Sequence, residues 1–213
     1  MKTVTRALPF TSQTNWAWPD GDEKLLQVFG DVLDIDIIMQ YVDKRQVCVQ
    51  AGGACGVWPL RYSQLFDWVY TFEPMFENIQ CLLKNTEGIE NILPYRRALA
   101  HKEMDGAMVF DQSEIGNYGA VYFQPGEGDA LAITIDEFDL DACDLLQLDI
   151  EGYELEALKG AVKTIEKYHP VIVLEEKPLP QFPDRDHLAP RRFIETMGYK
   201  EVGRIKKDVI FKV

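Results

Sequence analysis

The sequence predicts an α/β chain built on a mainly parallel, twisted sheet. Three observations predict it. Short apolar runs alternate with amphipathic helical stretches along most of the 213 residues. One run, VCVQAGGACG from Val47 to Gly56, reads as a buried strand that enters a glycine loop, with a helical stretch after it. A second, VYTFEP from Val69 to Pro74, ends in an acid about twenty residues further on.

Composition narrows the class. Hydrophobic residues make up 46%, which fits a folded chain rather than a disordered one. The length fits one α/β domain, residues 44–213, with an N-terminal arm and helices, residues 1–43, packed on it. With 22 basic and 35 acidic residues the formal net charge is -13. Such a surface repels a phosphate backbone, so a small-molecule partner and no nucleic acid is expected. No apolar run is long enough to span a bilayer, and the first residues lack a signal-peptide pattern. A cytoplasmic chain with no membrane partner is therefore expected. Cys48, Cys55, Cys81 and Cys143 form no Cys-x-x-Cys pair and are expected as buried, reduced thiols. Whether the chain forms a homo-oligomer stays open.

The elements follow in order. Met1 to Pro19 shows neither helical nor strand period and reads as an arm folded over the domain. Trp16 and Trp18 either cover an apolar patch there or line the mouth of a site, covering being the commoner role. Asp20 to Glu23 is a helix start, acids suiting the positive end of the helix dipole. Two helices are expected next: one with Leu25, Leu26, Val28 and Phe29 inward, broken at Gly30, and one with Ile35, Ile38, Met39 and Val42 inward. Main strands are expected over 46–50, 67–72, 89–100, 144–149 and 171–175. Helices are expected over 57–66, where Pro59 is tolerated in the first turn, and over 76–84, with Phe76, Ile79, Leu82 and Leu83 inward. A long helix over 153–168 is ended by His169-Pro170, and one over 188–197 is capped by Gly198. His101 to Phe138, with several glycines and short alternating runs, reads as a β-rich insertion or lid. Lys177 to Arg185 is a proline-rich loop. Residues 199–203 and 208–213 read as a C-terminal antiparallel hairpin.

Ligands on such sheets bind at the carboxyl ends of the strands, where Gln50, Glu73, Asp149 and Glu175 fall. The loop lacks the dinucleotide pattern G-x-G-x-x-G, which from Gly52 would require glycine in place of Ala54 and Val57. The spacing Gly52-x-x-x-Gly56 fits instead the loop that cradles the methionine part of S-adenosylmethionine in Rossmann-like methyltransferases. On spacing alone a plain strand-to-helix turn has nearly equal weight. Glu73 favours a ligand, because a strand-end carboxylate accepts strong hydrogen bonds from ribose hydroxyls; its plainer role is a cap on the following helix. Asn117, in EIGNYGAVY, either hydrogen-bonds donor or acceptor or simply turns the chain.

The blocks CVQAGGACGVWPL, VYTFEPMFENIQCLLKN, ITIDEF, DLLQLDIEGYELEALKGA and PVIVLEE occur in this order from about Val47 to the C-terminus. In these blocks the chain resembles the FkbM-type methyltransferase family. The resemblance implies a Rossmann-like class I methyltransferase fold: a mainly parallel twisted sheet with a C-terminal antiparallel hairpin and a β-rich insertion. It also implies S-adenosylmethionine as cofactor and an oxygen acceptor on a sugar or small molecule. Carried over by position, the donor site is Gln50, Ala51, Gly52, Gly56, Glu73 and Pro74, and Asp149, Glu151 and Gly152 form the acceptor-side motif. The chain departs from the family pattern at Gln50, where Asp is common, at Gly53-Ala54, where Ala-Asn is usual, and at Gln147, where Lys is frequent. A neutral Gln50 still hydrogen-bonds an ammonium but gives up the charge pairing.

Methyl transfer to a hydroxyl needs alignment and a general base. Asp149 is the first candidate and Glu151 the second, with a helix cap as the plainer role for Glu151. Glu175 is a third acid that steers Asp149 or binds substrate, and Asn117 and Glu175 make the acceptor-binding set. Asp149, Glu151, Glu175 and Glu176 would suit Mg²⁺ or Ca²⁺, but hydrogen-bond networks are the commoner use of such acids and no metal is assigned. His101, His169 and His187 show no zinc spacing; His101 is expected at the edge of an adenine pocket. Two functions stand: a methyltransferase acting on a small-molecule or sugar hydroxyl, and a catalytically inactive Rossmann-like ligand-binding protein.

Overall fold

The computed structural model describes residues 1–22, 25–111, 116–178, 182 and 185–213. The chain opens with an antiparallel hairpin, β1 (Lys2–Thr5) and β2 (Asn15–Trp18). Two single-turn helices follow, α1 (Val28–Asp31) and α2 (Ile35–Ile38), set among 3-10 turns. Strands and helices then alternate: β3 (Val47–Ala51), α3 (Val57–Ser63), β4 (Trp68–Phe72), α4 (Phe76–Asn85) and β5 (Ile92–Tyr95). The insertion holds β6 (Ala98–Leu99), β7 (Met104–Phe110), β8 (Val121–Pro125) and β9 (Ala130–Ile133). The remainder is β10 (Leu145–Leu148), α5 (Glu154–Lys159), α6 (Val162–Tyr168), β11 (Val171–Glu175), α7 (Ala189–Thr196), β12 (Lys200–Ile205) and β13 (Asp208–Lys212).

The central sheet has the order β12-β13-β11-β10-β3-β4-β5, and the insertion forms its own sheet, β6-β9-β7-β8. From β11 to β5 the pairing is parallel; β13 is antiparallel to β11 and β12. The chain steps one way from β3 to β4 and β5, then returns beside β3 as β10 and steps the other way. The crevice beyond β3 and β10 is therefore the topological switch point, where open α/β sheets bind ligands.

Side chains alternate across a strand, and the core divides accordingly. Cys48, Val69, Leu145 and Val173 pack with α3 and the N-terminal segment, around Trp16, Trp18, Phe29, Val32, Ile35 and Ile38. Val49, Ala51, Phe72, Leu146, Leu148 and Leu174 pack with α5, α6 and Tyr199. Trp16 and Trp18 cover the sheet and line no cavity mouth: both are wholly buried, and Trp18 stacks on Phe29. Asn85 ties the hairpin to the glycine loop. Its Oδ1 accepts from the Ala17 N–H at 2.7 Å, and its Nδ2 donates to the carbonyls of Ala17 (2.9 Å) and Cys55 (2.8 Å). All four cysteines are buried and free.

Several expectations change. The arm contains the hairpin β1–β2. The two early helices shrink to single turns, and Gly30 lies inside α1 rather than breaking it. Part of that segment, residues 23–24, lies outside the described residues, as do 112–115, including Glu114 and Ile115 of EIGNYGAVY, and 179–181 and 183–184 of the proline-rich loop. In α4, Phe76 and Leu83 face outward while Asn78, Ile79, Cys81, Leu82 and Asn85 are buried; Arg96 lies over the exposed Phe76 ring. The strand expected over 89–100 splits into β5 and β6 around Arg96 and Arg97. The long helix over 153–168 breaks into α5 and α6 at Gly160, where a Cβ would sit 2.0 Å from the Ala100 carbonyl oxygen. Asp136 then caps α6, accepting from the N–H groups of Lys163 and Thr164.

Asn85→Ala leaves three backbone groups without their partner. It is expected to lower unfolding free energy by about 2 kcal/mol, read from urea denaturation as a lower midpoint with an unchanged m-value.

Candidate functional site

The site grows from strand alternation at the carboxyl edge of the sheet. Gln50 follows Cys48 by two residues, Thr71 and Glu73 follow Val69, Gln147 and Asp149 follow Leu145, and Glu175 follows Val173. All therefore project to the face that packs against the N-terminal segment. There they line a cavity of about 790 Å³ whose wall includes Gln50, Ala51, Gly52, Glu73, Pro74, Asn117, Asp149, Glu151 and Glu175. That volume lies in the usual range for small-molecule sites. Gly56 lies outside the wall: it precedes α3 at φ +86° and packs on Leu82 of α4 and on Thr86, the residue after it.

The glycine loop is shaped by protein neighbours. Gly52 has φ +86°, and a Cβ there would meet the Asp149 carbonyl oxygen at 2.1 Å. A Cβ on Gly53 would meet Thr71 Oγ1 at 2.7 Å and Leu82 Cδ1 at 2.8 Å. Both glycines let the loop seat against β10, β4 and α4, and Gly52 also lines the cavity. Glu73 fixes the loop from below. Its Oε2 accepts from the Ala54 N–H at 2.7 Å, and its Oε1 from the Met75 N–H at 2.9 Å. Burial pushes the Glu73 carboxyl up to about 7, against the pull of those N–H groups. Gln50 is wholly buried; its Oε1 accepts from Thr71 Oγ1 at 2.6 Å and its Nε2 donates to the Gly52 carbonyl at 2.9 Å.

The opposite wall is acidic. Oxygens of Asp149, Glu151 and Glu175 lie within 4.8 Å of one another. Lys177 Nζ stands 2.8 Å from Glu151 Oε1 and 2.6 Å from Glu175 Oε2. Asp208 pairs in register with Glu175 and lines the same cavity. Asp149 is open to water inside the cavity, while protein encloses it elsewhere. Burial first, then the Glu175 carboxylate, push it up to about 8 against the pull of Lys177. Burial and Asp149 push Asp208 up to about 7, and burial raises Glu151 and Glu175 as well. Burial works against the Lys177 ammonium, but Glu151, Asp149 and Glu175 outweigh it and raise its pKa. The three converging carboxylates are an oxygen set suited to a hard divalent cation, although Lys177 already brings a positive charge to two of them.

The turn after β10 separates two roles. Glu151 has φ +54° and Gly152 φ +96°. Glu154, not Glu151, holds the turn, accepting from the N–H groups of Ile150 (3.1 Å) and Gly152 (3.2 Å). Glu151 is left facing Lys177. Asn117 Oδ1 accepts from the Gly119 N–H at 3.0 Å, the turn geometry of its plainer role, and Asn117 also lines the cavity. His101 does not line it. The chain leaves β5 for β6 and carries His101 to α5, its Nδ1 2.5 Å from Glu156 Oε2. His169 ends α6 at φ +49°.

Asp208, Lys177 and Glu154 escape the sequence reading. The signal for Asp208 was the hairpin register that sets it against Glu175, and for Lys177 its two-residue spacing from Glu175. Two buried acceptors on the cavity wall, Gln147 Oε1 and Asn78 Oδ1, have no hydrogen-bond partner among the described residues.

The sheet order and switch-point cavity define a Rossmann-like class I methyltransferase fold. The Methyltransferase FkbM domain matches residues 65–201, and the chain belongs to the FkbM methyltransferase family. No curated protein matches it by sequence. Among solved structures it is similar to an FkbM methyltransferase from Methylobacillus flagellatus KT, with TM-score 0.51 and 18% identity over 89% of this chain and 54% of that one. This chain thus spans about half of that protein. It is also similar to a precorrin-6y C5,15-methyltransferase from Geobacter metallireducens GS-15, with TM-score 0.54 and 14% identity over 92% and 91% of the two chains. Among the described residues, no helix is long and apolar enough to cross a membrane.

Lys177→Met removes the cation that favours ionised Asp149, so the Asp149 titration is expected to move above about 8, followed by carboxyl-carbon NMR. A raised pKa also sets the sign of pH-dependent stability. The Asp149 contribution is full below the ordinary carboxylate range and is lost as pH rises through about 8. Asp149→Asn is expected to flatten the fall in stability over that window.

Proposed function

We propose that the chain is an S-adenosylmethionine-dependent O-methyltransferase acting on a small-molecule or sugar hydroxyl. The observation that carries this reading is the pair of strand-end carboxylates, Glu73 and Asp149, flanking the Gly52 loop on one cavity wall. The chemistry of the donor set fits the cofactor. S-adenosylmethionine brings an ammonium, a sulfonium and hydroxyl donors, and the wall offers carboxylates and the unpartnered acceptors Gln147 Oε1 and Asn78 Oδ1. Gln50, Ala51, Gly52, Glu73 and Pro74 would hold it, Glu73 taking the ribose. Gly56 acts by shaping the loop.

When bound, the cofactor supplies a methyl group on a positively charged sulfur, a leaving group that needs no protonation. The protein orients the acceptor and takes up one proton. Asp149 would accept the proton of the acceptor hydroxyl as that oxygen takes the methyl group, which the cofactor held by Gln50, Ala51, Gly52, Glu73 and Pro74 would supply. Glu151 and Glu175, bridged by Lys177, hold the base in place, and Asn117 and Glu175 contact the acceptor. A base near pH 8 is only partly ionised at neutrality, so activity should climb with pH.

Calorimetry with S-adenosylhomocysteine is expected to give saturable binding to the wild-type chain, weakened about tenfold or more in Glu73→Gln. Absence of saturable binding to wild type would refute the reading. Once an acceptor is in hand, kcat/KM is expected to rise about tenfold per pH unit up to the Asp149 titration. Asp149→Asn is expected to cost about 10²–10⁴ in kcat and to remove that pH dependence.

A further inference from the structure

A second cavity, of about 500 Å³, shares Tyr153, Glu175 and Lys177 with the first. It lies on the far side of the turn after β10 and opens beside α7. Its remaining wall includes His101, Lys102, Arg185 and His187, an unusual run of basic groups in a chain of net charge -13.

The acids around this cavity are already engaged. Glu154 is bound by two backbone N–H groups. Glu156 pairs with His101 and Lys159, Glu175 with Lys177 and Asp186 with Arg192. Lys102 and His187, by contrast, have no hydrogen-bond or ion-pair partner among the described residues. Arg185 is held but not neutralised. Its Nη1 donates to the Gly152 carbonyl at 2.9 Å, and its guanidinium lies 3.8 Å from the Phe182 ring centroid and 5.4 Å from that of Tyr153. The two rings and the Gly152 carbonyl confine the guanidinium, and its other N–H groups have no partner among the described residues. A guanidinium fork matches the two oxygens of a carboxylate or phosphate. The contact with Gly152 ties it to the loop that carries Asp149 and Glu151.

We propose that this cavity is the acceptor subsite and that the acceptor carries an anionic group, carboxylate or phosphate, bound by Arg185 with Lys102 and His187. The proposal rests on the methyltransferase reading of the first cavity. The anion docks on the Arg185 side of Tyr153, and the hydroxyl to be methylated reaches past Glu175 to Asp149. Substrate choice is then made by a cation outside the donor site, in a protein whose overall charge repels anions elsewhere.

The test uses the full chain saturated with S-adenosylhomocysteine and three probes: glucuronate, glucose 6-phosphate and glucose. The readout is the histidine ring NMR signals. At least one charged sugar is expected to shift the His187 signals saturably, with glucose giving no saturable shift; which one does so separates carboxylate from phosphate recognition. Arg185→Gln is expected to weaken that binding about tenfold or more, and Lys102→Gln, an exposed change that leaves the fold intact, to weaken it about threefold. S-adenosylhomocysteine affinity should stay the same in both variants. The proposal is overturned if neither charged sugar gives a saturable shift, if glucose matches them, or if both variants bind like wild type. Loss of S-adenosylhomocysteine binding with anion binding intact would overturn the donor-site reading, and the acceptor role with it. Intact cofactor binding without anion binding overturns this proposal alone.

Discussion

The parallel register of β10 against β3, with Gln147 opposite Gln50, is the constraint on which the rest depends. It brings the ends of two strands far apart in sequence to the switch point. Because side chains alternate along a strand, it also decides that Asp149 and Gln50 share one face. β4 extends the same face to Thr71 and Glu73, and β11 to Glu175. A one-residue slip would turn each acid into the opposite layer, among Leu146, Leu148 and Ala157.

Fixing the acids there costs solvation, and the structure offsets that cost unevenly. Glu73 is satisfied by one backbone N–H of the loop it supports, that of Ala54, and by the Met75 N–H just before α4. Of the acids beyond β10, Glu151 and Glu175 are ion-paired by Lys177, which also pulls on Asp149, while Lys207 and Lys206 act more weakly on Glu151 and Asp208. Asp149, without an amide cradle like that of Glu73, is pushed up to about 8 by burial and by Glu175 despite the pull of Lys177. The acid raised to about 8 is thus one that faces the open volume of the cavity.

Much of this was legible in the chain itself. Continuous apolar runs marked β3, β10 and β11, and the acids ending β4, β10 and β11 marked the binding edge. The blocks around Glu73 and Asp149-Ile150-Glu151-Gly152 carried the family resemblance. What escaped depends on contacts between distant segments. The break between α5 and α6 arises because Gly160 abuts the Ala100 carbonyl, which no helical period reveals. Trp16 and Trp18 alternate with small or polar neighbours as a strand should, but over four residues the pattern is too short to stand out. The glycine loop was the subtler case. Its spacing marked a tight loop at the strand end, but not that Asp149, Thr71 and Leu82 fill the space beside Gly52 and Gly53. Asp208 could be placed only through the register of the closing hairpin.

The most direct test of the central claim is a crystal structure of the chain grown with S-adenosylhomocysteine. The ribose hydroxyls are expected on Glu73, the amino-acid end near Gln50 and Gln147, and the sulfur facing Asp149. A ligand with its ribose away from Glu73, or with Asp149 turned from the sulfur, would contradict it.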